Sequence, residues 1–253
     1  MASGRLTVRY LTFITLFPDP VAAYLECGIL GRAEASGLVD FACVNPRDFA
    51  ADRRGTVDDS PYGGGPGMVM KVAPLRAAVA AARSRCSAAA HVALMSPQGR
   101  VFDQGAVAEL QEFAHLILVA GRYEAVDERF AERDIDSEWS IGDFILTGGE
   151  LPALTIADAL VRTLDGVLGD PESASEDSFS AGLLDHPHYT RPEKIDDQEV
   201  PAVLLSGDHQ AIAEWRRAQA LLRTASRRGD LLDNYPLSDD DRRLLEKFAH
   251  EPH

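Results

Sequence analysis

The stretch Trp139-Ser-Ile-Gly-Asp-Phe-Ile-Leu-Thr-Gly-Gly-Glu-Leu-Pro152 places three glycines and a run of apolar residues between an acidic segment and a helix start. Glycine lets the backbone turn with positive φ or come close to another group. A loop that offers backbone N–H and C=O groups rather than charged side chains suits a flat ligand with polar edges. The stretch therefore predicts a ligand-binding loop, and it is not a phosphate cradle.

Alternating strand and helix patterns on the N-terminal side of this loop predict an α/β fold with a parallel sheet. Strands are predicted at Phe13–Phe17, His91–Met95 and His115–Ala120. The second strand is predicted to end at Ser96-Pro97-Gln98-Gly99, and the third at Gly121. Ligands of such sheets bind just past the carboxyl ends of the strands. Any one of these loops alone is more typical of a tight turn, but the three together predict one site.

Three helices are predicted from residues at helical spacing. Their face positions are Leu75, Ala78, Val79 and Ala82 after Pro74; Val107, Leu110 and Ala114 after an N-cap at Asp103; and Leu151, Leu154, Asp158, Leu160, Val161 and Leu164.

The pattern fails between Gly169 and Gly182, where turn formers predominate, and this segment is predicted to be a linker. A smaller helical unit is predicted after it. One of its helices is predicted to begin at an Asp208 cap. Ser238 and Asp241 resemble a capping box at the start of another.

Composition restricts the class of protein. The net charge of −15 taken alone argues against a nucleic-acid partner, although basic residues cluster around Arg191 and between Arg216 and Arg228. Three cysteines without metal or disulfide spacing favour a reducing cytoplasm. His186 and His188 are a poor metal pair without further ligands, and no apolar run reaches the roughly 20 residues of a membrane span.

Two further features leave alternatives open. The cluster Tyr62-Gly-Gly-Gly-Pro-Gly-Met68 fits neither phosphate-binding motif, and it predicts a flap or a close approach to another chain or to RNA. Glu124, just after the third strand, is suited to balance a sulfonium or ammonium group. Alternatively, it pairs with Arg122 or Arg129.

Eight motifs along the chain resemble, in order, those of the bacterial tRNA (guanine-37-N1)-methyltransferase family. They are Tyr62-Gly-Gly-Gly-Pro-Gly-Met, Leu94-Met-Ser-Pro-Gln-Gly-Arg, Gly121-Arg-Tyr-Glu, Glu138-Trp-Ser-Ile-Gly-Asp, Leu146-Thr-Gly-Gly-Glu-Leu-Pro, Ser175-Glu-Asp-Ser-Phe, Leu183-Leu-Asp-His-Pro-His-Tyr-Thr-Arg-Pro and Val203-Leu-Leu-Ser-Gly.

The resemblance implies an α/β, parallel-sheet trefoil-knot (SPOUT) methyltransferase domain at residues 1–168. It further implies a flexible linker at 169–182 that carries a catalytic Asp, and a small helical tRNA-binding domain at 183–253. The knot is implied by the resemblance alone, because local periodicity does not reveal how a chain threads.

The implied methyl donor is S-adenosylmethionine, bent within the knot. The residues implied to bind it are Leu94, Met95, Ser96, Pro97, Gly99, Gly121, Tyr123, Glu124, Ser140, Ile141, Gly142, Asp143, Phe144, Ile145, Leu146, Gly148, Gly149 and Pro152. By motif, Asp177 corresponds to the general base, and Arg162 to the group that stabilises charge on guanine O6.

The implied partners are tRNA with guanine at position 37, next to the anticodon, and a second copy of the chain, with active sites at the homodimer interface. Arg216, Arg217 and Arg223 would bind tRNA phosphates. The family also suggests magnesium, a cytoplasmic location and a role in reading-frame maintenance.

Two competing functions differ in class. A knotted methyltransferase could act on another RNA atom, such as a ribose hydroxyl, but the Arg162/Asp177 spacing and the linker motif disfavour this. A tRNA-binding or S-adenosylmethionine-sensing protein without catalysis is disfavoured because both catalytic residues are present.

Overall fold

A computed structural model describes residues 8–169, 177–233 and 235–248. The chain divides into two compact units, Met1–Gly169 and Asp170–His253. Of the predicted linker at 169–182, residues 170–176 lie outside the described residues. Its last part, residues 177–182, is tied to the start of the helical unit, since the Phe179 N–H donates to Leu183 O at 2.7 Å.

The first unit is built on a five-stranded parallel sheet, which confirms the predicted fold class. Its strands are β1 (Tyr10–Ile14), β2 (Asp40–Val44), β5 (Ala90–Val101), β6 (His115–Ala120) and β8 (Ser137–Ser140), in the order β2-β1-β6-β5-β8. A small second sheet contains β3 (Asp58–Asp59), β4 (Val69–Met70) and β7 (Ala125–Val126).

Helices cover both faces of the large sheet, so its central strands are apolar on both sides. Every residue of β6 is buried. Leu116 and Leu118 face one core, and Ile117 and Val119 face the other. The helices of this unit are α1 (Pro18–Leu25), α2 (Gly28–Ala35), α3 (Val72–Arg83), α4 (Gln104–Leu110), α5 (Glu128–Asp134) and α6 (Glu150–Arg162).

The sequence prediction placed two elements at the wrong bounds. β1 begins and ends earlier than the predicted Phe13–Phe17, because the Phe17 N–H donates to Thr15 Oγ1 at 3.0 Å and turns the chain into α1. The helix capped by Asp103 ends at Leu110, so Ala114 lies beyond it. The Ala114 carbonyl instead accepts from the backbone of Arg9 and Tyr10 at the entry to β1.

The buried face of α6 also differs from the prediction. Leu154, Leu160, Val161 and Leu164 are buried as predicted, but Leu151 and Asp158 are exposed. The small residues Ala153 and Ala157, together with Ile156, form the centre of the contact with the core. Apolar size alone misplaced this face, since alanine lets a helix approach a sheet closely.

The second unit is mostly helical. Its elements are a short hairpin of β9 (Lys194–Ile195) and β10 (Gln198–Glu199), and the helices α7 (Ala202–Leu205), α8 (His209–Arg227) and α9 (Asp239–Phe248). Trp215, Ala218 and Phe248 form its small core. The predicted cap is confirmed, because Asp208 accepts from the amides of Gln210 and Ala211.

The predicted capping box at α9 is confirmed in both directions. The Asp241 N–H donates to Ser238 Oγ at 3.1 Å, and the Ser238 N–H donates to Asp241 Oδ2 at 3.0 Å.

Candidate functional site

The three predicted loops converge at the carboxyl edge of the large sheet, where they enclose a cavity of about 470 Å³. This volume lies within the range of small-molecule sites. The lining residues are Leu94, Met95, Ser96, Pro97, Gln98, Gly121, Arg122, Tyr123, Glu124, Ala125, Val126, Glu128, Ala131, Glu138, Trp139, Ser140, Ile141, Gly142, Phe144, Ile145, Leu146, Gly148, Gly149 and Pro152.

All but two of the residues predicted to bind a ligand line this cavity; the exceptions are Gly99 and Asp143. Asp143 is exposed. Gly99 packs against β8, where an added Cβ would lie 2.4 Å from both the Glu138 carbonyl carbon and the Trp139 nitrogen. Gly99 therefore allows two backbone segments to meet and does not line the cavity.

The segment Ser96–Gly99 does not end the second predicted strand. β5 continues to Val101, and both Met95 and Arg100 pair with Trp139 of β8. The four residues between them bulge out of the sheet, and three of them line the cavity. Pro97 and Gly99 predict a strand end, and this prediction is wrong. The segment forms one wall of the cavity, and the chain then pairs with β8 again.

The opposite wall is formed where the chain returns from β8 across the ends of β5 and β6. The Gly149 N–H donates to Gly121 O at 2.8 Å. A Cβ on Gly149 would lie 2.7 Å from Ala120 Cα and 2.9 Å from the Gly121 nitrogen. Because these neighbours are backbone atoms, only glycine allows so close a crossing.

A buried carboxylate that was not predicted holds this wall in place. Glu150, in the first turn of α6, accepts from Arg122 Nε at 2.8 Å and from Thr15 Oγ1 at 2.9 Å. The Arg122 guanidinium also donates to Thr147 O and lies 4.4 Å from the centre of the Phe17 ring. An acidic residue beside two glycines at a helix start was the available sequence signal.

The cavity lining is acidic. Among the described residues it carries Glu124, Glu128 and Glu138 against a single cation, Arg122, which already pairs with Glu150. The alternative pairing of Glu124 with Arg122 or Arg129 is not seen among the described residues, where Arg122 pairs with Glu150 and Arg129 with Asp127. The lining therefore favours a cationic ligand over an anionic one.

The glycine cluster after Tyr62 leads to this cavity. Gly63, Gly64, Gly65 and Gly67 all have positive φ. A Cβ on Gly67 would lie within 2.7 Å of three atoms of the Glu124 side chain, and the Glu124 N–H donates to Met68 O at 3.0 Å. The cluster thus ends in backbone and side-chain contact with a residue that lines the cavity.

The two residues predicted to be catalytic belong to different units. Arg162 is half-buried in the last turn of α6, and Asp177 is half-buried at the start of the described part of the second unit. Both take part in interactions of their own. Their catalytic pairing stays a prediction.

The predicted phosphate contacts in the second unit need one correction. The Arg217 guanidinium donates to both Asp241 oxygens, at 2.8 and 3.0 Å, and to the Tyr235 hydroxyl at 3.0 Å. Its donors are committed to the packing of α8 against α9. Arg217 therefore has a structural role, while Arg216 remains exposed and Arg223 half-exposed.

Replacement of Asp241 by asparagine is expected to lower the free energy of unfolding by about 2–3 kcal/mol, because it leaves a partly buried guanidinium without its counter-charge. The hydrogen bond from Arg217 lowers the pKa of Asp241 from 3.8 to about 2. The stabilisation is therefore complete above about pH 4 and is lost as the pH falls towards 2.

Urea denaturation at a series of pH values measures this difference. Asp240→Asn is the matched control, because Asp240 pairs with Arg243 on the exposed surface of the same helix. An equal loss of stability in both variants, or a difference independent of pH, would contradict the assignment.

Among the described residues, no helix is long and apolar enough to cross a membrane.

A parallel α/β sheet with a cavity past its strand ends is typical of α/β proteins that bind a ligand at that edge. The family model described as tRNA (Guanine-1)-methyltransferase TrmD matches residues 9–234. The chain belongs to this family, and with it to the trefoil-knot (SPOUT) class of methyltransferase.

Curated relatives are similar over nearly the whole chain. A Pseudoalteromonas translucida protein is 58% identical over 94% of this chain and 93% of its own length. A Methylococcus capsulatus protein is 56% identical over 94% and 95%, and a Pseudomonas syringae pv. tomato protein is 53% identical over 99% and 98%. Each is named tRNA (guanine-N(1)-)-methyltransferase.

Proposed function

We propose that this chain transfers a methyl group from S-adenosylmethionine to N1 of guanine at position 37 of tRNA. Membership of the family supports the reaction and the tRNA substrate. The single observation that carries the choice of donor is the acidic cavity at the sheet edge. The activity is tested by incubating the chain with tRNA and labelled donor and identifying 1-methylguanine in the product.

The cavity suits S-adenosylmethionine in size and charge. Exposed apolar side chains of Phe144, Ile145 and Leu146 provide a surface for the adenine ring. Backbone groups of the same loop can read the polar edge of the ring. The sulfonium and ammonium charges of the donor are favoured by Glu124, Glu128 and Glu138.

The proposed chemistry requires removal of a proton first, because N1 of neutral guanine carries one and is a poor nucleophile. Asp177 takes this proton as general base. The negative charge spreads towards O6, where Arg162 stabilises it. N1 then attacks the methyl carbon, the carbon–sulfur bond breaks, and a neutral thioether leaves.

A homodimer with active sites at its interface agrees with apolar surface near the cavity. Ile145 is 80% exposed and Leu151 is 62% exposed, on a segment that also carries Phe144. A second copy of the chain would cover Leu151 and the part of this segment that the donor leaves exposed. The linker that carries Asp177 would complete the partner's active site and become ordered when tRNA binds.

The helical unit would bind tRNA phosphates through Arg216 and Arg223, with affinity that falls as salt rises. We place the enzyme in the cytoplasm, in support of reading-frame maintenance. Magnesium is a proposed cofactor, which rests on the resemblance to the family alone.

The variant Glu124→Gln tests the counter-charge to the donor. We expect its affinity for S-adenosylmethionine to fall about threefold to fivefold, as for an exposed charge pair. Affinity for S-adenosylhomocysteine, whose sulfur is neutral, should change less. Calorimetric titration measures both.

Glu112→Gln is the control, since Glu112 is exposed and does not line the cavity. An equal loss of affinity for both ligands would show that Glu124 balances the charge of the ammonium group and not that of the sulfonium. Unchanged affinity for both ligands would remove Glu124 from donor binding.

A further inference from the structure

A second group of polar side chains lies in the helical unit and does not line the cavity at the sheet edge. Asp185, His186 and His188 each present a ligand atom, and these atoms all lie within 4.8 Å of one another. His188 Nε2 is 2.6 Å from Asp185 Oδ2, and His186 Nε2 is 3.7 Å from Asp185 Oδ1. The sequence spacing identifies only His186 and His188 as candidate metal ligands. The fold adds the Asp185 carboxylate as a third.

The tautomer of His186 is fixed by its backbone partner. His186 Nδ1 lies 3.1 Å from Pro187 O, which can only accept a hydrogen bond, so Nδ1 carries the proton. In a neutral ring Nε2 is then unprotonated, and it lies 3.7 Å from Asp185 Oδ1. Two acceptors at this distance repel each other unless a cation or a proton lies between them.

This arrangement is typical of a metal ligand. Metal-binding histidines almost always donate their other ring N–H to a carbonyl or carboxylate, which orients the ring. His186 is already oriented in this way, and its side chain is only 13% exposed.

Small movements would bring the ligand atoms to the distances of a tetrahedral ion. Zinc bonds to nitrogen and oxygen of about 2.0–2.2 Å put neighbouring ligand atoms roughly 3.3 Å apart. The separation of 2.6 Å is a hydrogen bond between His188 and Asp185 and would have to lengthen, and the separation of 3.7 Å would have to shorten, each by less than about 1 Å. Because His188 is 70% exposed, its ring can move by the small amount required without repacking the unit.

We propose that Asp185, His186 and His188 form a binding site for a zinc-like divalent transition metal. Two imidazoles and one carboxylate suit zinc, cobalt or nickel, whereas magnesium prefers oxygen ligands. The metal proposed for this site is therefore different from the magnesium proposed for methyl transfer.

Three protein ligands leave one tetrahedral position open. His186 and His188 also line a groove of about 590 Å³ that carries Tyr189, Arg191 and Arg216. A metal held here would fix the loop that forms one side of this groove. Its open position would be available to water or to an anionic oxygen.

The test is equilibrium binding of zinc to the full chain, purified without a histidine tag and stripped with a chelator. We expect one zinc ion per chain, retained in excess magnesium, and visible absorption bands when cobalt replaces zinc. His186→Ala and His188→Ala should each lower zinc affinity by at least about tenfold, since loss of an orienting partner alone costs that much.

His209→Ala is the matched control, because His209 is an exposed histidine in the same unit and outside the cluster. Its zinc affinity should equal that of the unmodified chain. Circular dichroism of the metal-free variants checks folding, and His188→Ala keeps the test valid if His186→Ala fails to fold.

Zinc binding no tighter than that of the doubly substituted His186→Ala/His188→Ala chain would overturn the proposal. A proton shared between His186 and Asp185 would then explain the geometry. Because the readout is metal binding and not methyl transfer, failure of the proposed enzymatic function would leave this result unaffected.

Discussion

Replacement of Asp177 by alanine is expected to abolish methyl transfer and to leave S-adenosylmethionine binding intact. Guanine N1 must lose a proton before it can attack, and a positioned general base typically contributes about 10²- to 10⁴-fold to rate. Asp177 is not among the residues that line the cavity, so donor affinity should not change. Single-turnover transfer measures the first quantity, and calorimetry measures the second.

Two further variants sharpen this test. Asp177→Asn keeps the size of the side chain and removes the base, so it should be as slow as the alanine variant. Asp197→Ala removes an exposed carboxylate from the same unit and should have no effect. A single-turnover rate equal to that of the unmodified chain would exclude Asp177 from the mechanism.

A variant of Arg162 tests the same chemical step from the side of charge stabilisation. Loss of a group that stabilises charge in the transition state typically costs about 10²- to 10³-fold in rate. Arg162→Ala should therefore slow the chemical step even at saturating tRNA. A variant that only weakens tRNA binding would show that Arg162 holds the substrate and does not stabilise charge on O6.

The second large effect is expected at the crossing of the chain over the sheet edge. Gly149→Ala places a Cβ within 3.0 Å of Ala120, Gly121 and Met95 atoms, two of them backbone. The backbone cannot move aside as a flexible side chain would, so the wall that Gly149 forms must shift. We expect donor affinity to fall by at least about tenfold and the free energy of unfolding by about 2 kcal/mol.

Gly229→Ala is the control for the substitution itself, because an added Cβ there meets no atom within 4 Å. Calorimetric titration with S-adenosylmethionine and urea denaturation should distinguish the two variants. Donor affinity equal in Gly149→Ala and the unmodified chain would show that this wall does not bind the donor.

Much of the site could be predicted from the sequence because the loops carry their own signals. Apolar runs such as His115–Ala120 identify buried strands, Gly121 marks where such a run stops, and the Gly148-Gly149 pair marks the start of α6. Parallel topology then brings these stops to one edge. Local patterns therefore identified most of the cavity lining before any contact was known.

The rest depends on contacts between residues distant in sequence. The Ser96–Gly99 bulge is defined only by Trp139 pairing twice with β5. The role of Glu150 in holding the cavity wall follows only from its hydrogen bonds with Thr15 and Arg122. The basic cluster predicts that Arg217 binds phosphate, but Arg217 forms an ion pair with Asp241. None of these partners has a fixed spacing that a pattern could detect.

The central claim is tested most directly by transfer of a labelled methyl group from S-adenosylmethionine to two tRNAs that differ only at position 37. With guanine at that position, we expect one methyl group per tRNA, recovered as 1-methylguanine. With adenine we expect no transfer, because adenine has neither the N1–H that Asp177 would accept nor the O6 that Arg162 would contact, so the base is not held in line with the methyl group. Equal labelling of the two tRNAs would contradict the assignment of guanine N1 as the methyl acceptor.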